Sequence, residues 1–226
     1  SSSRGLGDVY KRQEFWLNAF SQGVAQAVSA YELPLIGGDT TRGALTITVQ
    51  VLGALPLEQA LLRSGAAVGD AVYVSGTLGD AAAALAFLNG QWQPDADAAE
   101  YLLQRFNRPA ARVALGRQLL GTASAAIDIS DGLLADAGHI AAASGVCIRI
   151  DPHALPLSAA LQAQEDSEQR LRWALAGGDD YELCFCLPAT ERAPVGCARI
   201  GTVEEGEGVL LDPDVGIVLP QGYQHF

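Results

Sequence analysis

Apolar residues return at two different periods along this chain. From Glu14 to Tyr31, the residues Trp16, Phe20, Val24, Ala27, Val28 and Tyr31 recur every three or four positions, which predicts a helix with one buried face. Pro34 to Ile36 reads as a short strand running into Gly37-Gly38-Asp39-Thr40-Thr41-Arg42-Gly43. From Leu45 to Leu55 the period falls to two, with Leu45, Ile47, Val49 and Val51 on one face and Thr46, Thr48 and Gln50 on the other, the pattern of a half-buried strand. Leu57 to Leu62 predicts a short helix or turn, and a domain boundary is placed near Arg63.

Beyond it, the strand Ala71 to Ser75 precedes an Ala-rich helix that ends near Asn89-Gly90. Helices fit Ala98 to Phe106 and Ala110 to Leu120, then a strand Ala125 to Ile129 and a helix Leu133 to Ser144. Val146 to Ile150 is a strand, Leu157 to Gln164 and Ser167 to Leu175 are helical, and Glu182 to Leu187 is a strand. The end is β-like: Ala198 to Val203, Val209 to Leu211 and Ile217 to Leu219. Strands and helices mixed in this way give an α+β fold, a sheet covered by helices.

Composition narrows the function. Hydrophobic residues make up 49% of the 226 positions, enough for a core without disulfides. A net charge of −12 argues against a nucleic-acid-binding surface, because nothing would replace phosphate counterions. It leaves a nucleotide open, since a metal can bring phosphate to an acidic site. Lys11 is the only lysine, so the body of the chain holds no P-loop. Cys147, Cys184, Cys186 and Cys197 lack zinc spacing and read as reduced, buried cysteines of a cytoplasmic protein. No apolar run is long enough to span a membrane and no signal peptide is present. Methionine is absent even at position 1, so the chain is expected to be processed, cut or incomplete, and Ser1 to Gln13 is set apart as a disordered leader.

Three acidic glycine loops hold the candidate chemistry. In the first, Asp128 and Asp131 flank Ser130 at a strand end, followed by Gly132 and an apolar helix. Such carboxylates suit a hard cation that also holds phosphate oxygens. An Asx turn with Asp131 capping the helix accounts for the same residues. Gly37-Gly38-Asp39 is either a phosphate-approach loop or a glycine turn, and Gly177-Gly178-Asp179-Asp180-Tyr181-Glu182 is the third loop. Together they predict a shared acidic site lined by flexible backbone. Gly76-Thr77-Leu78-Gly79-Asp80 lacks the spacing of a dinucleotide fingerprint and reads as a structural turn. His139 reads as a core or surface histidine, and His153 has no evident partner. Nucleophile elbows and zinc motifs are missing, which leaves hydrolase triads without support.

In this order, the loops resemble the thiamine-monophosphate kinase family, of the superfamily that includes aminoimidazole ribonucleotide synthetase and selenophosphate synthetase. The matching motifs are Leu35 to Gly43, Arg63-Ser64-Gly65-Ala66, Ala126 to Leu133, Gly177 to Leu183 and Gly222 to Phe226. The resemblance covers essentially Glu14 to Phe226 and implies a partial N-terminal α/β domain, residues 14–63, followed by an α+β C-terminal domain, residues 64–226. It also implies direct transfer of the γ-phosphoryl of ATP to thiamine monophosphate, with Mg²⁺ ions doing most of the work and no side chain acting as base. A homodimer is implied with it. By position, Gly38, Asp39, Arg63 and Ser130 match ATP contacts, and Asp39, Asp128 and Asp131 match metal ligands. Asp179 matches an acidic residue that binds thiamine, and Pro220 stands where relatives place an aromatic residue that packs on substrate. The family's N-terminal acidic motifs have no counterpart before Glu14, so this chain is expected to be inactive as it stands. The alternatives are a related ATP-dependent synthetase of the superfamily and a catalytically dead nucleotide-binding fragment.

Overall fold

Among the described residues, the apolar runs downstream of residue 70 form six strands: β1 (Ala71–Ser75), β2 (Ala125–Asp128), β3 (Cys147–Ile150), β4 (Leu183–Leu187), β5 (Cys197–Glu204) and β6 (Gly208–Leu211). The computed structural model describes residues 4–41, 43–57, 59–213 and 216, with side chains from residue 14 onward. In it the strands pair as one sheet in the order β2-β4-β1-β5-β3-β6. Neighbours run antiparallel except β3 and β6, which are parallel. The expected α+β class is what the structure shows.

β4, Leu-Cys-Phe-Cys-Leu, is apolar at every position because both faces of the sheet are covered around it. Cys184 and Cys186 lie with Val72, Val74, Ala125, Ile127 and Ile148 in the main core, to which α5 (Leu133–Ser144) and α7 (Ser167–Ala176) contribute Ile140 and Leu175. Phe185 and Leu187 point the other way, onto Leu115 and Leu119 of α4 (Val113–Leu119), Tyr73 and Leu61. All four cysteines are free, and burial pushes the Cys186 thiol up to about 12. A third cluster joins α2 (Asp80–Leu88), α3 (Ala96–Asn107) and α6 (Ala159–Gln162) through Ala83, Leu102 and Leu161. Asp95, Ser158 and Asp166 start α3, α6 and α7 by accepting backbone N–H bonds, so these boundaries follow local capping chemistry. Among the described residues no helix is long and apolar enough to cross a membrane.

Two compact units divide between Leu52 and Gly53, earlier than the boundary expected near Arg63. Residues 61–66 belong with the second unit for a physical reason. The N–H of Ala126 donates to the Leu62 carbonyl at 2.8 Å, Ser144 Oγ donates to the Arg63 carbonyl, and Leu61 packs against the outer face of the sheet.

The first unit holds a 27-residue helix, α1 (Arg4–Ala30). It begins well before Glu14, so part of the stretch set apart as a disordered leader is helical. Residues 4–13 contain no proline, and extending a helix that already exists costs little. The predicted face is present but open: Val24 and Val28 are half-buried, while Trp16, Phe20 and Tyr31 stay about 40% exposed. The strands expected over Pro34 to Ile36 and Leu45 to Leu55 are not formed among the described residues, where the chain runs without regular structure. Alternation supplies a face but not a partner, and a strand exists only as part of a ladder. The expected strand Ile217 to Leu219 lies outside the described residues, as do His225 and Pro220.

Candidate active site

The ladder between β2 and β4 continues past both strands. Ile129 donates to the Glu182 carbonyl at 2.7 Å, Tyr181 donates back to Ile129 at 2.9 Å, and Asp179 donates to the Ser130 carbonyl at 3.0 Å. Two of the loops singled out in the sequence are thereby zipped together. Their glycines serve close packing, which corrects the expectation of flexible backbone. A Cβ on Gly178 would lie 2.3 Å from the Ser130 carbonyl oxygen, and one on Gly132, at φ +114, would lie 2.8 Å from that of Ala176.

Asp136 shapes the turn between β2 and α5. Its Oδ2 accepts the backbone N–H groups of Ser130, Asp131 and Gly132 at 3.0, 3.0 and 3.1 Å. The Asp131 cap expected in the sequence is not used. Gly132 is the N-cap without a side-chain bond, and Asp131 is left free of that role. The three N–H groups at this helix start are already occupied, so they do not cradle a phosphate. Burial raises the Asp136 carboxyl pKa above its usual value and the charge of Asp131 adds to that, against the pull of the three backbone bonds.

Asp131, Asp136 and His139 each place a potential ligand atom within 4.8 Å of the others. Asp136 and His139 are one helical turn apart, so they share a face of α5. Asp128, the last residue of β2, is exposed beside this group, close enough that its charge, with that of Asp131, acts on the Tyr181 phenol. His139, read in the sequence as a core or surface histidine, is exposed on α5, and Asp136 was not singled out there beside Asp128 and Asp131. The available signal was an acidic residue in the first turn of an otherwise apolar helix.

The third loop alternates in direction. Asp180 and Glu182 point inward and are 3% and 0% exposed, whereas Asp179 and Tyr181 are exposed. Asp180 accepts the N–H groups of Gly79 and Ala81 and so caps α2. Burial pushes its carboxyl up to about 7. Glu182 accepts from Ser75, from Arg105 at 2.9 Å, and from both Nε and Nη2 of Arg112. Burial pushes the Glu182 carboxyl up, but the bonds from Arg112 and Ser75 and the charges of both arginines outweigh it and leave the group below the usual glutamate value. Arg105 also pairs with Asp80 at 3.5 Å, which accepts in turn from Thr77, Ser158 and Tyr101. The structural turn expected at Gly76 to Asp80 is therefore built into a buried polar network.

The structure brings Asp128, Ser130, Asp131 and Asp179 into one loop pair. Arg63 lies on the segment hydrogen-bonded along the outer edge of β2, with its side chain exposed. Gly38 and Asp39 belong to the first unit, where Asp39 accepts the Thr40 N–H at 2.8 Å and nothing crowds Gly38 within 4 Å.

Residues 67–212 match the family described as AIR synthase related protein, C-terminal domain, and residues 3–55 match the corresponding N-terminal domain. Thiamine-monophosphate kinase of Escherichia coli K12 is 48% identical in a match covering 94% of this chain and 70% of the relative. The chain belongs to the thiamine-monophosphate kinase family. Among solved structures, thiamine-monophosphate kinase from Stenotrophomonas maltophilia K279a matches at 42% identity and TM-score 0.65, covering 70% of this chain and 54% of its own. A second structure, AaThiL complexed with AMPPCP and TMP, matches at 42% identity and TM-score 0.66, covering 74% and 54%. The chain thus spans about half the length of the solved thiamine-monophosphate kinases it matches.

Proposed function

We propose that this protein transfers the γ-phosphoryl of ATP to the phosphate of thiamine monophosphate, giving thiamine diphosphate and ADP, as a cytoplasmic, Mg²⁺-dependent homodimer. One observation carries the reading: Asp128 and Asp131 stand at the end of β2, held by the zipped loops, in a chain 48% identical to a thiamine-monophosphate kinase. The AMPPCP and TMP of the related structure supply the ligand classes, an ATP analogue and the acceptor.

The donor set suits the metal. Carboxylate oxygens that are not consumed by backbone N–H groups are what a hard divalent cation takes, and Asp128 and Asp131 offer them. Asp39, in the first unit, is assigned as a metal ligand by the family resemblance alone. Bound Mg²⁺ would supply neutralisation of the charge on the transferring phosphoryl oxygens. The chain's own residues do the rest by position. Gly38, Arg63 and Ser130 bind and orient the nucleotide, and Arg63 brings a cation to the phosphates. Asp179 faces the cationic thiazolium ring, and Pro220 is assigned to substrate by the family resemblance alone. No general base is required, because the acceptor phosphate is already an anion.

The test is chromatographic detection of thiamine diphosphate, with ATP and thiamine monophosphate, from purified protein of the full length of the solved relatives, of which this chain spans about half. Product should form with Mg²⁺ and disappear with chelator. Asp128→Asn and Asp131→Asn should each lower turnover by about 10²-fold or more, with melting temperatures within about 3 °C of the parent. Absence of product at saturating substrates and metal would end the reading. A sharp fall in melting temperature with activity per folded molecule intact would make the two aspartates structural.

A further inference from the structure

We propose that Tyr181 is a positioning residue for substrate recognition, its phenol O–H holding the Asp179 carboxylate in the orientation that meets the cationic ring of thiamine monophosphate. The inference rests on the function proposed above and deepens it.

Asp179 and Tyr181 both sit at left-handed backbone angles, φ 64° and 51°. That region disfavours any residue with a side chain, and a bulky aromatic most of all. Such conformations persist only where the surroundings over-determine them, and they gather at functional sites. Here the surroundings are identifiable. Asp180 is fixed inward by the N–H groups of Gly79 and Ala81, and Glu182 by Ser75, Arg105 and Arg112. The backbone of Asp179 and Tyr181 is bonded to Ser130 and Ile129. With both inward residues anchored, the two between and before them are turned out on the side of Asp128 and Asp131.

Once there, the Tyr181 hydroxyl donates to Asp179 Oδ1 at 3.1 Å. The bond occupies one carboxylate oxygen and leaves the other for a ligand. Burial raises the Tyr181 phenol pKa above its usual value, and the hydrogen bond and charge of Asp179 and then the charges of Asp128 and Asp131 add to the effect. The group is therefore a proton donor throughout the neutral range. An exposed carboxylate without this partner would sample several rotamers, and a ligand would have to select one of them.

Calorimetric titration of the protein with thiamine monophosphate, in the presence of Mg²⁺ and AMPPCP, tests the idea. Tyr181→Phe removes one oxygen and should weaken thiamine monophosphate binding roughly tenfold, with AMPPCP affinity changed less than about twofold. Asp179→Ala should weaken it further, and adding Tyr181→Phe to Asp179→Ala should cost nothing more, because no acceptor is left for the hydroxyl to hold. Binding unchanged by Tyr181→Phe, equal loss of AMPPCP and thiamine monophosphate, or full additivity of the two substitutions would each overturn the proposal. If the parent protein binds AMPPCP but not thiamine monophosphate, the proposed function itself falls and takes this inference with it.

Discussion

Three backbone N–H groups converge on one oxygen of Asp136, and that carboxylate decides the shape of the turn carrying Asp128 and Asp131. Replacing it by alanine leaves three donors at a part-buried turn without an acceptor. Asp136→Ala should therefore destabilise the fold by about 2–3 kcal/mol in urea unfolding, while Asp136→Asn, which keeps an oxygen, should cost about half as much. A loss below about 0.5 kcal/mol for Asp136→Ala would mean that water replaces the carboxylate and that the turn does not depend on it. At the same scale, the exposed Asp128 has no such structural task, so its substitution separates metal binding from stability.

Among elements, β4 and its leading loop bind the second unit together. The loop places Asp180 at the start of α2 and Glu182 against arginines from α3 and from the residue before α4. Arg105 is the shared cation, reaching both Asp80 and Glu182. Arg105→Met fits the space but leaves buried carboxylates with less compensation. It should destabilise by about 3–5 kcal/mol, the usual result of removing one partner from a buried ion pair. Arg105→Lys should recover only part of this, because an ammonium cannot span both carboxylates as a planar guanidinium does. Chemical denaturation measures both, and parent-like stability of Arg105→Met would show that Arg112 alone satisfies Glu182.

For the whole molecule, buried carboxylates of opposite behaviour predict a bell-shaped dependence of stability on pH. Asp180, raised from 3.8 to about 7, holds its proton more tightly in the folded state. Its contribution is therefore greatest at low pH and is lost as pH rises through that window. Glu182 is lowered below 4.5, so its contribution is present above that value and is lost as pH falls through its folded value. On these two groups melting temperature should peak at about pH 4, where the gain from Glu182 and the loss from Asp180 balance. Asp180→Asn should flatten the decline above the peak and leave the acid side unchanged. A parent-like decline in Asp180→Asn would place the titrating group elsewhere.

The elements of residues 71–211 were legible because their patterns are local. Helix α5 begins and ends where periodicity placed it, between Gly132 and the left-handed Gly145. The strands Ala71 to Ser75 and Glu182 to Leu187 announced themselves as short apolar runs, the second beginning at Leu183 in the structure. The ordered loops also disclosed the family, since motif chemistry is written in consecutive residues. What the sequence could not determine was anything that needs a partner distant in the chain. Leu45 to Leu55 alternates as a strand should, yet alternation does not supply the neighbour that makes a ladder. Gly178 looked like a flexible residue and is a packing residue, because the Ser130 carbonyl lies against it across 48 positions of sequence. Asp136, Asp180 and Glu182 are all acidic, and composition treats them alike. Burial, three N–H groups, a helix start and two arginines give each a different charge behaviour and a different task. Those surroundings exist only after the chain has folded.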